Sequence, residues 1–176
     1  MNLRLVALME TQGRWLYHRR STAGVVLLPL LIVSIWFPGY PGAEWSKSAI
    51  NNLSYVALLV SFAGLALRWL TAASVPADTS VRSTREMRAA QLNTRGVYSV
   101  VRHPLYLANG LVYAGFIAVT GSLWFLALFV LFYALYIERV AAAEEGFLES
   151  IHGQAWHDWV ACTPAFIPAF SHWAWR

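Results

Sequence analysis

Three long stretches of the chain carry almost no charge, and they predict membrane-spanning helices. They run from Ser21 to Ala43, from Ser48 to Ala73 and from Pro104 to Ile137. A helix that crosses the hydrocarbon core of a bilayer needs about 20 residues at about 1.5 Å each. The first two stretches therefore predict one span each, at 22–38 and 50–73.

The third stretch is too long for one ordinary span. Its middle reads Thr120-Gly121-Ser122, which is typical of a turn. We therefore expect a hairpin of two short spans, at 104–120 and 123–138. Each half is slightly short for a bilayer, so either the second helix continues beyond Glu138 or the membrane is locally thinned.

The two ends of the chain predict helices that lie on the membrane. Residues 1–20 mix apolar side chains with arginines, which is typical of an interfacial amphipathic helix. The alanine-rich run after Arg139 favours a helix, and Gly153 is a plausible end for it. Because Pro164 and Pro168 prevent a long helix, we expect no fifth span and describe 139–176 as a cytoplasmic helix and flap.

These elements predict one membrane domain over 1–176. The expected fold is an all-α integral membrane protein, a bundle of about four transmembrane helices with an N-terminal interfacial helix and a cytoplasmic C-terminal helix and flap. Composition agrees, since 58% of the residues are hydrophobic and 12% are charged, about half the charged fraction of a soluble domain. Such a chain is not disordered, and with Cys162 as its one cysteine it is not a disulfide scaffold. No Cys/His cluster has the spacing of a zinc site, so we expect no metal.

The basic residues predict the orientation of the bundle. Four of the 13 Lys and Arg residues precede the first span, six lie between Arg68 and Arg102, and only Lys47 lies in the loop between the first two spans. By the positive-inside rule, both termini and the loop at 68–103 face the cytoplasm, as expected for a multi-pass protein of a bacterial inner membrane. The net charge of +4 is thus a topology signal, and the arginines can also contact anionic lipid headgroups.

The loop before the third span carries the first group of chemical residues. Pro104 suits the first turn of a helix, which places Arg102 and His103 at its N-terminus, where free N–H groups favour an anionic ligand. Tyr106 follows one turn inside, and Asn109 is a polar residue in an apolar span. Taken singly, an Arg-His pair is also typical of a snorkelling anchor, and Asn109 can simply bond a neighbouring helix.

The helix after the fourth span carries the second group. Glu138 and Glu145 are seven residues apart and share a helix face, whereas the adjacent Glu144 and Glu145 point about 100° apart. One of the adjacent pair can therefore face the bundle while the other lies along the surface. A glutamate pair on a helix is usually a solvated face. Here, however, it lies on the same side of the membrane as Arg102, so the two groups together can hold a zwitterion.

Both groups match motifs of a known family. The first reads Gly-x-Tyr-x-x-Val-Arg-His-Pro-x-Tyr, and the second reads Glu-Glu-x-x-Leu followed by Gly-x-x-aromatic-x-x-aromatic and Pro-x-x-x-Pro. The residues are Gly96, Tyr98, Val101, Arg102, His103, Pro104 and Tyr106, then Glu144, Glu145, Leu148, Gly153, Trp156, Trp159, Pro164 and Pro168. Over about residues 90–170 the chain resembles the isoprenylcysteine carboxyl methyltransferase family. Phospholipid N-methyltransferases look similar over the same motifs.

The resemblance implies a membrane methyltransferase that uses S-adenosyl-L-methionine, with a cofactor pocket facing the cytoplasm. His103 and Tyr106 would contact the cofactor, and the backbone around Tyr98 and Val101 would hold its adenine side. The Glu144–Glu145 pair would engage its amino and ribose groups or orient the acceptor. The full set of cofactor-binding candidates is Tyr98, Val101, Arg102, His103, Tyr106, Glu144 and Glu145.

The catalytic candidates are Glu145, Arg102 and Arg139. Methyl transfer from a sulfonium depends largely on positioning and requires no metal. Arg102 or Arg139 can hold an anionic acceptor through paired hydrogen bonds, and the Tyr106 ring can face the donor's positive charge.

The acceptor would be a lipid-soluble small molecule carrying a carboxylate, phosphate or amine. We expect membrane lipid around the protein, with no nucleic acid and no obligatory protein partner. Two departures from the family pattern, Ala165 after the first tail proline and His152 before the tail glycine, leave the acceptor open.

Three other functions are compatible with parts of the pattern. An NADPH-dependent membrane sterol or enoyl reductase can carry a similar His-Pro-x-Tyr stretch, although such enzymes usually have more spans. A non-catalytic heme- or lipid-binding membrane protein would use His103 or His152 as a ligand. A purely structural membrane protein would leave the two cytoplasmic motifs without a reason.

Overall fold

The computed structural model describes residues 3–19, 47–75 and 91–172, together with positions 29, 32, 33 and 36. This part of the chain is helical and contains no β-strand, which confirms the all-α prediction for it. Two short 3₁₀ helices, Gly96–Ser99 and Phe170–His172, accompany the α-helices. The α-helices are α1 (Leu3–His18), α2 (Lys47–Ala73), α3 (Pro104–Val119), α4 (Leu123–His152) and α5 (Gln154–Cys162). The predicted span at 22–38 and the basic stretch at 82–88 lie largely or wholly outside the described residues.

Among the described residues, two helices are long and apolar enough to cross a membrane, namely Asn51–Ala73 of α2 and all of α4. Only 22% and 17% of their most apolar stretches are buried inside the protein. A monomer in water rarely exposes apolar surface on that scale, whereas a bilayer solvates it. The third helix, α3, is apolar but shorter, at 16 residues. The count of four spans stays a prediction.

The hairpin between α3 and α4 forms at the predicted turn. α3 ends at Val119, α4 begins at Leu123, and Gly121 between them adopts a positive φ of 75°. The predicted boundary between the fourth span and the cytoplasmic helix, after residue 138, is absent from the backbone. α4 is one helix of 30 residues from Leu123 to His152. Of the two alternatives for this span, the structure shows the longer helix, which combines the predicted fourth span with the predicted cytoplasmic helix.

Small residues bring α2 and α3 into close contact. A Cβ added at Gly64 would lie 2.8 Å from the Ala108 carbonyl oxygen, and one added at Gly115 would overlap Ser61. The Ser61 hydroxyl donates to the Val112 carbonyl at 3.1 Å. Small side chains at these positions let the backbones approach, which is how helices associate without a hydrophobic driving force in lipid.

α1 packs against the middle of α4. A Cβ added at Gly13 would overlap the Arg139 carbonyl oxygen and lie 2.8 Å from Ala143 Cβ. Tyr17, one turn further along α1, is only 1% exposed. The predicted N-terminal helix is therefore confirmed as a helix, and its position in the membrane interface stays a prediction.

The end of α4 reverses the chain toward the hairpin. Gly153 has a positive φ of 51°, and its N–H donates to the Glu149 carbonyl at 2.9 Å. This confirms Gly153 as the helix end, because an L side chain rarely adopts that conformation. The following helix α5 has nine residues and stops before Pro164, so it is too short to cross a membrane.

Candidate functional site

The loop before α3 is held rigidly by its own backbone and by buried valines. Gly96 begins the 3₁₀ turn with a positive φ of 59°, and the Ser99 hydroxyl donates to its carbonyl at 2.7 Å. Val100 and Val101 are 2% and 1% exposed. The loop therefore delivers the next two residues, Arg102 and His103, in one fixed orientation.

A C-terminal segment, 163–169, pairs with this loop through backbone hydrogen bonds. The N–H groups of Arg102 and His103 donate to the carbonyls of Pro164 and Ala165, at 2.9 and 3.1 Å. The Ala169 N–H donates back to the Val100 carbonyl at 3.0 Å. The two motifs, far apart in sequence, are thus neighbours, and Ala165 lies directly beside His103.

Two aromatic side chains complete the contact between the motifs. Trp159 of α5 donates its indole N–H to the Tyr98 carbonyl at 3.0 Å. The Phe166 ring lies 5.4 Å from the His103 ring, tilted by 31°. Trp159 of the tail motif and Phe166, which lies between the two prolines of that motif, therefore hold the Arg-His loop in place, a role that their spacing in the sequence did not specify.

His103 contacts both glutamates of α4. Its Nε2 lies 2.8 Å from Glu145 Oε1, and its Nδ1 lies 3.6 Å from Glu144 Oε2. The Tyr106 hydroxyl donates to Glu144 Oε1 at 2.7 Å, and Arg102 Nη1 lies 3.1 Å from Glu145 Oε1. We call these five residues, Arg102, His103, Tyr106, Glu144 and Glu145, the cytoplasmic cluster, after the side of the membrane that the basic residues predict for them.

Both glutamates contact His103, whereas helix spacing alone also allowed one of them to face the bundle and the other to lie along the surface. Neighbouring positions on α4 diverge by about 100°, but His103 caps the N-terminus of α3 between them. Its two ring nitrogens point in different directions, and each long glutamate side chain reaches one of them.

The cluster is electrostatically balanced and mostly shielded from solvent. Burial lowers the pKa of His103, but hydrogen bonding and negative charge from Glu144 and Glu145 outweigh it and raise that pKa above its usual range. With Arg102 also cationic, two positive side chains face two carboxylates. Burial, followed by the charge of Glu144, raises the pKa of the Tyr98 hydroxyl, which therefore stays neutral.

One donor in the cluster has no hydrogen-bond partner within the described residues. Arg102 Nε is buried and unpaired, although its Nη1 contacts Glu145. A buried unpaired donor is costly and is normally satisfied by a ligand or water. The Arg102 Nε–H can therefore donate a hydrogen bond to an anionic or carbonyl group of a ligand.

Three predicted site residues lie outside the cluster. Val101 is packed, its N–H donating to the Val97 carbonyl, and the Tyr98 carbonyl is occupied by Trp159, so both residues shape the loop. Arg139 faces the other way, toward α1. Its Nε donates to Gln12 Oε1 at 3.0 Å and its Nη1 to the Leu135 carbonyl at 2.8 Å. Six positions along a helix turn the side chain by about 240°, which explains why Arg139 and Glu145 diverge.

A second polar contact lies below the cluster, and the sequence indicated one of its two residues, Asn109, but not the partner. Asn109 of α3 accepts a hydrogen bond from the Arg68 guanidinium of α2. Asn109 thus bonds a neighbouring helix, one of the two alternatives for it. The one charged residue between Ser48 and Ala73 is Arg68, and that isolated charge is the signal in the sequence for this contact.

His152 is not part of the cluster contacts. It ends α4, and its buried Nε2 has no hydrogen-bond partner in the part of the chain that the structure describes. Among those residues, no group of three or more His, Cys, Asp or Glu side chains is placed to hold a metal ion.

Comparison with known proteins points to one enzyme family. The family model for phospholipid methyltransferase matches residues 55–155. That range includes all of α3 and α4, most of α2, and all five residues of the cytoplasmic cluster. No solved structure matches this chain.

Two curated relatives share part of the sequence. The nickel-cobalt-cadmium resistance protein NccN of Alcaligenes xylosoxydans xylosoxydans is 36% identical over 84 residues, which are 48% of this chain and 39% of that protein. The cobalt-zinc-cadmium resistance protein CzcN of Cupriavidus metallidurans is 40% identical over 80 residues, which are 46% of this chain and 37% of that protein. The match thus spans about two fifths of the length of each relative, and the names describe those proteins.

Proposed function

Because this chain belongs to the phospholipid methyltransferase family, a family of membrane methyltransferases, we propose that it transfers a methyl group from S-adenosyl-L-methionine to a lipid-like or isoprenoid acceptor. The acceptor atom belongs to a carboxylate, a phosphate or an amine. The transfer takes place at the cytoplasmic face of the membrane. The observation that carries the proposal is the contact of His103 and Arg102 with Glu145, which joins the two motifs at one end of the helical hairpin.

The cytoplasmic cluster has the donors and acceptors that an S-adenosyl nucleoside requires. The carboxylates of Glu144 and Glu145 suit an ammonium group and ribose hydroxyls, and the unpaired Arg102 Nε suits a carboxylate. When bound, S-adenosyl-L-methionine supplies a methyl group that its sulfonium already activates. The protein's task is therefore to position the two reactants.

Each residue of the cluster has a positioning role in this proposal. His103, protonated between the two glutamates, keeps both carboxylates oriented toward the ligand. Tyr106 fixes Glu144 through its hydroxyl and presents a ring that can face a cation. Glu145, held by Arg102 and His103, is the residue that we expect to affect turnover most. Arg139 has no role at the cluster in this proposal, because its side chain faces α1.

The resemblance to isoprenylcysteine carboxyl methyltransferases supports an isoprenoid carboxylate as one acceptor. The family match equally supports a phospholipid amine. The two are distinguished by the product, since methyl esters are released by base and N-methyl groups are not. The assay incubates the protein and methyl-labelled S-adenosyl-L-methionine with membrane lipid extract and, separately, with a carboxylic acid that carries a prenyl thioether. The base stability of the labelled product shows which bond has formed.

Calorimetry of the detergent-purified full chain tests the proposal. We expect S-adenosylhomocysteine to bind and NADPH not to bind. Binding of NADPH alone would favour a reductase, and visible absorbance typical of heme in the purified protein would favour a heme-binding protein. Either result, or the absence of binding by S-adenosylhomocysteine, contradicts the proposal.

We also propose that the protein lies in a bacterial inner membrane with the C-terminal segment and both termini in the cytoplasm. The distribution of basic residues supports this orientation. Cys162, the one cysteine of the sequence, is exposed and is the last residue of α5, so it reports on that helix. A membrane-impermeant maleimide should label Cys162 in inverted vesicles and leave it unlabelled in intact spheroplasts, and the reverse pattern would contradict the orientation.

A further inference from the structure

A charged side chain lies inside the predicted second span. Arg68 is the one charged residue between Ser48 and Ala73, and it lies on α2 five residues before the helix ends at Ala73. At about 1.5 Å per residue, this places it roughly 7 Å inside the helix end. Its side chain is exposed at the surface of the bundle. Charged residues at such depth are costly, and they usually mark a binding site or an ion path.

Arg68 has a single hydrogen-bond partner within the described residues, Asn109 Oδ1 on α3. Asn109 is likewise five residues inside its helix, which begins at Pro104. The remaining N–H groups of the guanidinium and the Asn109 amide nitrogen make no other hydrogen bond among these residues. The pair thus presents several unused donors at one level of the bundle, on an exposed surface of two apolar helices.

The Arg68–Asn109 pair lies next to the cytoplasmic cluster. Asn109 is three residues, or about one turn, below Tyr106 on α3, and the Tyr106 hydroxyl contacts Glu144. Tyr133 of α4 joins the same region, since its hydroxyl donates to the Tyr106 carbonyl at 2.6 Å. A molecule that approaches the cluster from the lipid along α2 and α3 therefore meets Arg68 and Asn109.

We propose that Arg68 and Asn109 bind the anionic group of the methyl acceptor, a carboxylate or a phosphate on a single apolar chain. This inference rests on the proposed function and specifies further that the methyl acceptor carries a negative charge. A guanidinium binds either oxyanion through two parallel hydrogen bonds, and Asn109 holds the guanidinium in place while offering its own amide N–H groups. Arg68 is here a positioning residue for the acceptor and takes no part in binding the methyl donor.

Native mass spectrometry of the detergent-solubilised full chain tests this, because it counts bound molecules directly. The probes are oleate, oleyl phosphate and oleyl alcohol, which share one chain and differ in their polar group. The proteins are the wild type, Arg68→Gln, Arg68→Lys, Asn109→Ala and a control, Arg19→Gln. Arg19 is an exposed arginine directly after α1, and its guanidinium lies over the Trp15 ring. S-adenosylhomocysteine is added in a parallel series.

We expect the wild type and Arg19→Gln to bind at least one anionic probe on the order of tenfold more tightly than the alcohol. Arg68→Gln should lose this preference while binding the alcohol as before, Arg68→Lys should keep part of it, and Asn109→Ala should reduce it. Comparison of oleate with oleyl phosphate assigns the oxyanion. A general disturbance of the bundle would weaken the binding of all three probes together. The ratio of anion affinity to alcohol affinity therefore reports on the charge contact alone.

Equal binding of all three probes by the wild type, or an undiminished preference in Arg68→Gln, would overturn the inference. The S-adenosylhomocysteine series separates it from the proposed function. If the wild type prefers anions but does not bind S-adenosylhomocysteine, the anion site stands and the methyltransferase proposal fails.

Discussion

His103 Nε2 lies 2.8 Å from Glu145 Oε1, although 42 residues separate them in the sequence. The contact joins the N-terminus of α3 to the C-terminal half of α4. Because α3 and α4 form a hairpin, it closes the open end of that hairpin opposite the turn at Gly121. Every member of the cytoplasmic cluster is attached to this pair, directly or through Glu144.

Replacing Glu145 with Gln should weaken S-adenosylhomocysteine binding and methylation by roughly 10- to 100-fold. The amide keeps the shape of the side chain but removes the charge that faces Arg102 and His103, and hydrogen bonds to charged groups are worth about 1.5–3 kcal/mol. Calorimetry and initial methylation rates measure the effect. Glu149→Gln is the matched control, since Glu149 is on the same helix and pairs with the exposed His157. Unchanged binding and kinetics would remove Glu145 from the site.

Replacing Tyr106 with Phe should lower the free energy of unfolding by about 1 kcal/mol and slow methylation. The ring remains, but the 2.7 Å hydrogen bond to Glu144 is lost. Tyr113→Phe is the control, because Tyr113 lies about two turns deeper on α3 and its ring packs on Phe129. Thermal unfolding in detergent and methylation rates report the difference. Equal behaviour of the two variants would show that the Tyr106 hydroxyl has no special role.

His103 should make the stability of the protein depend on pH. Its pKa is raised above the ordinary value of 6.5 in the folded state, so the folded protein holds the proton more tightly than the unfolded chain. The stabilisation is complete below about pH 6.5 and is lost as the pH rises through the raised pKa. The melting temperature of the wild type should therefore exceed that of His103→Gln most at low pH, and the gap should narrow with increasing pH.

The control for this pH series is His157→Gln, which changes an exposed histidine paired with Glu149. We expect its melting temperature to follow that of the wild type at every pH. A constant difference between wild type and His103→Gln across the series would contradict the assignment of a protonated His103.

Replacing Gly13 with Ala should destabilise the protein by about 1–3 kcal/mol, because the new methyl group would overlap the Arg139 carbonyl and force α1 away from α4. Gly146→Ala is a close control at the same interface. The atoms nearest to a Cβ at Gly146 all belong to the Glu10 carboxylate, the first at 3.1 Å, and that flexible side chain can move. Thermal unfolding of both variants measures the effect, and a Gly13→Ala protein as stable as Gly146→Ala would show that α1 tolerates displacement.

The ends of the hairpin helices were predictable because each depends on neighbouring residues. Pro104 suits the first turn of a helix and the Gly121 region suits a turn, so α3 and the start of α4 lie where expected. Gly153 ends α4 for a similar local reason. The extent of α4 was harder to predict, because hydropathy marks where charge begins, and a helix continues through Glu138 and Arg139 without a break in its backbone pattern.

Side-chain pairing between helices, in contrast, depended on how the helices pack and not on neighbouring residues in the sequence. Spacing along α4 placed Arg139 and Glu145 equally near the predicted site, yet α1 packs on one face of the helix and the Arg-His loop on another. Which face meets which neighbour depends on close contacts such as that of Gly13 with Arg139, and these involve residues far apart in sequence. The partner of Arg68 was undetermined for the same reason.

Local chemistry along the chain thus specified the helices, the turn between α3 and α4 and the residue types of the cytoplasmic cluster. Packing between helices specified that both glutamates reach His103, that Arg139 turns toward α1 and that Arg68 meets Asn109. Propensity and hydropathy act over a few residues, whereas helix rotation and register are chosen by the fit of whole surfaces, and no short stretch of sequence contains that information.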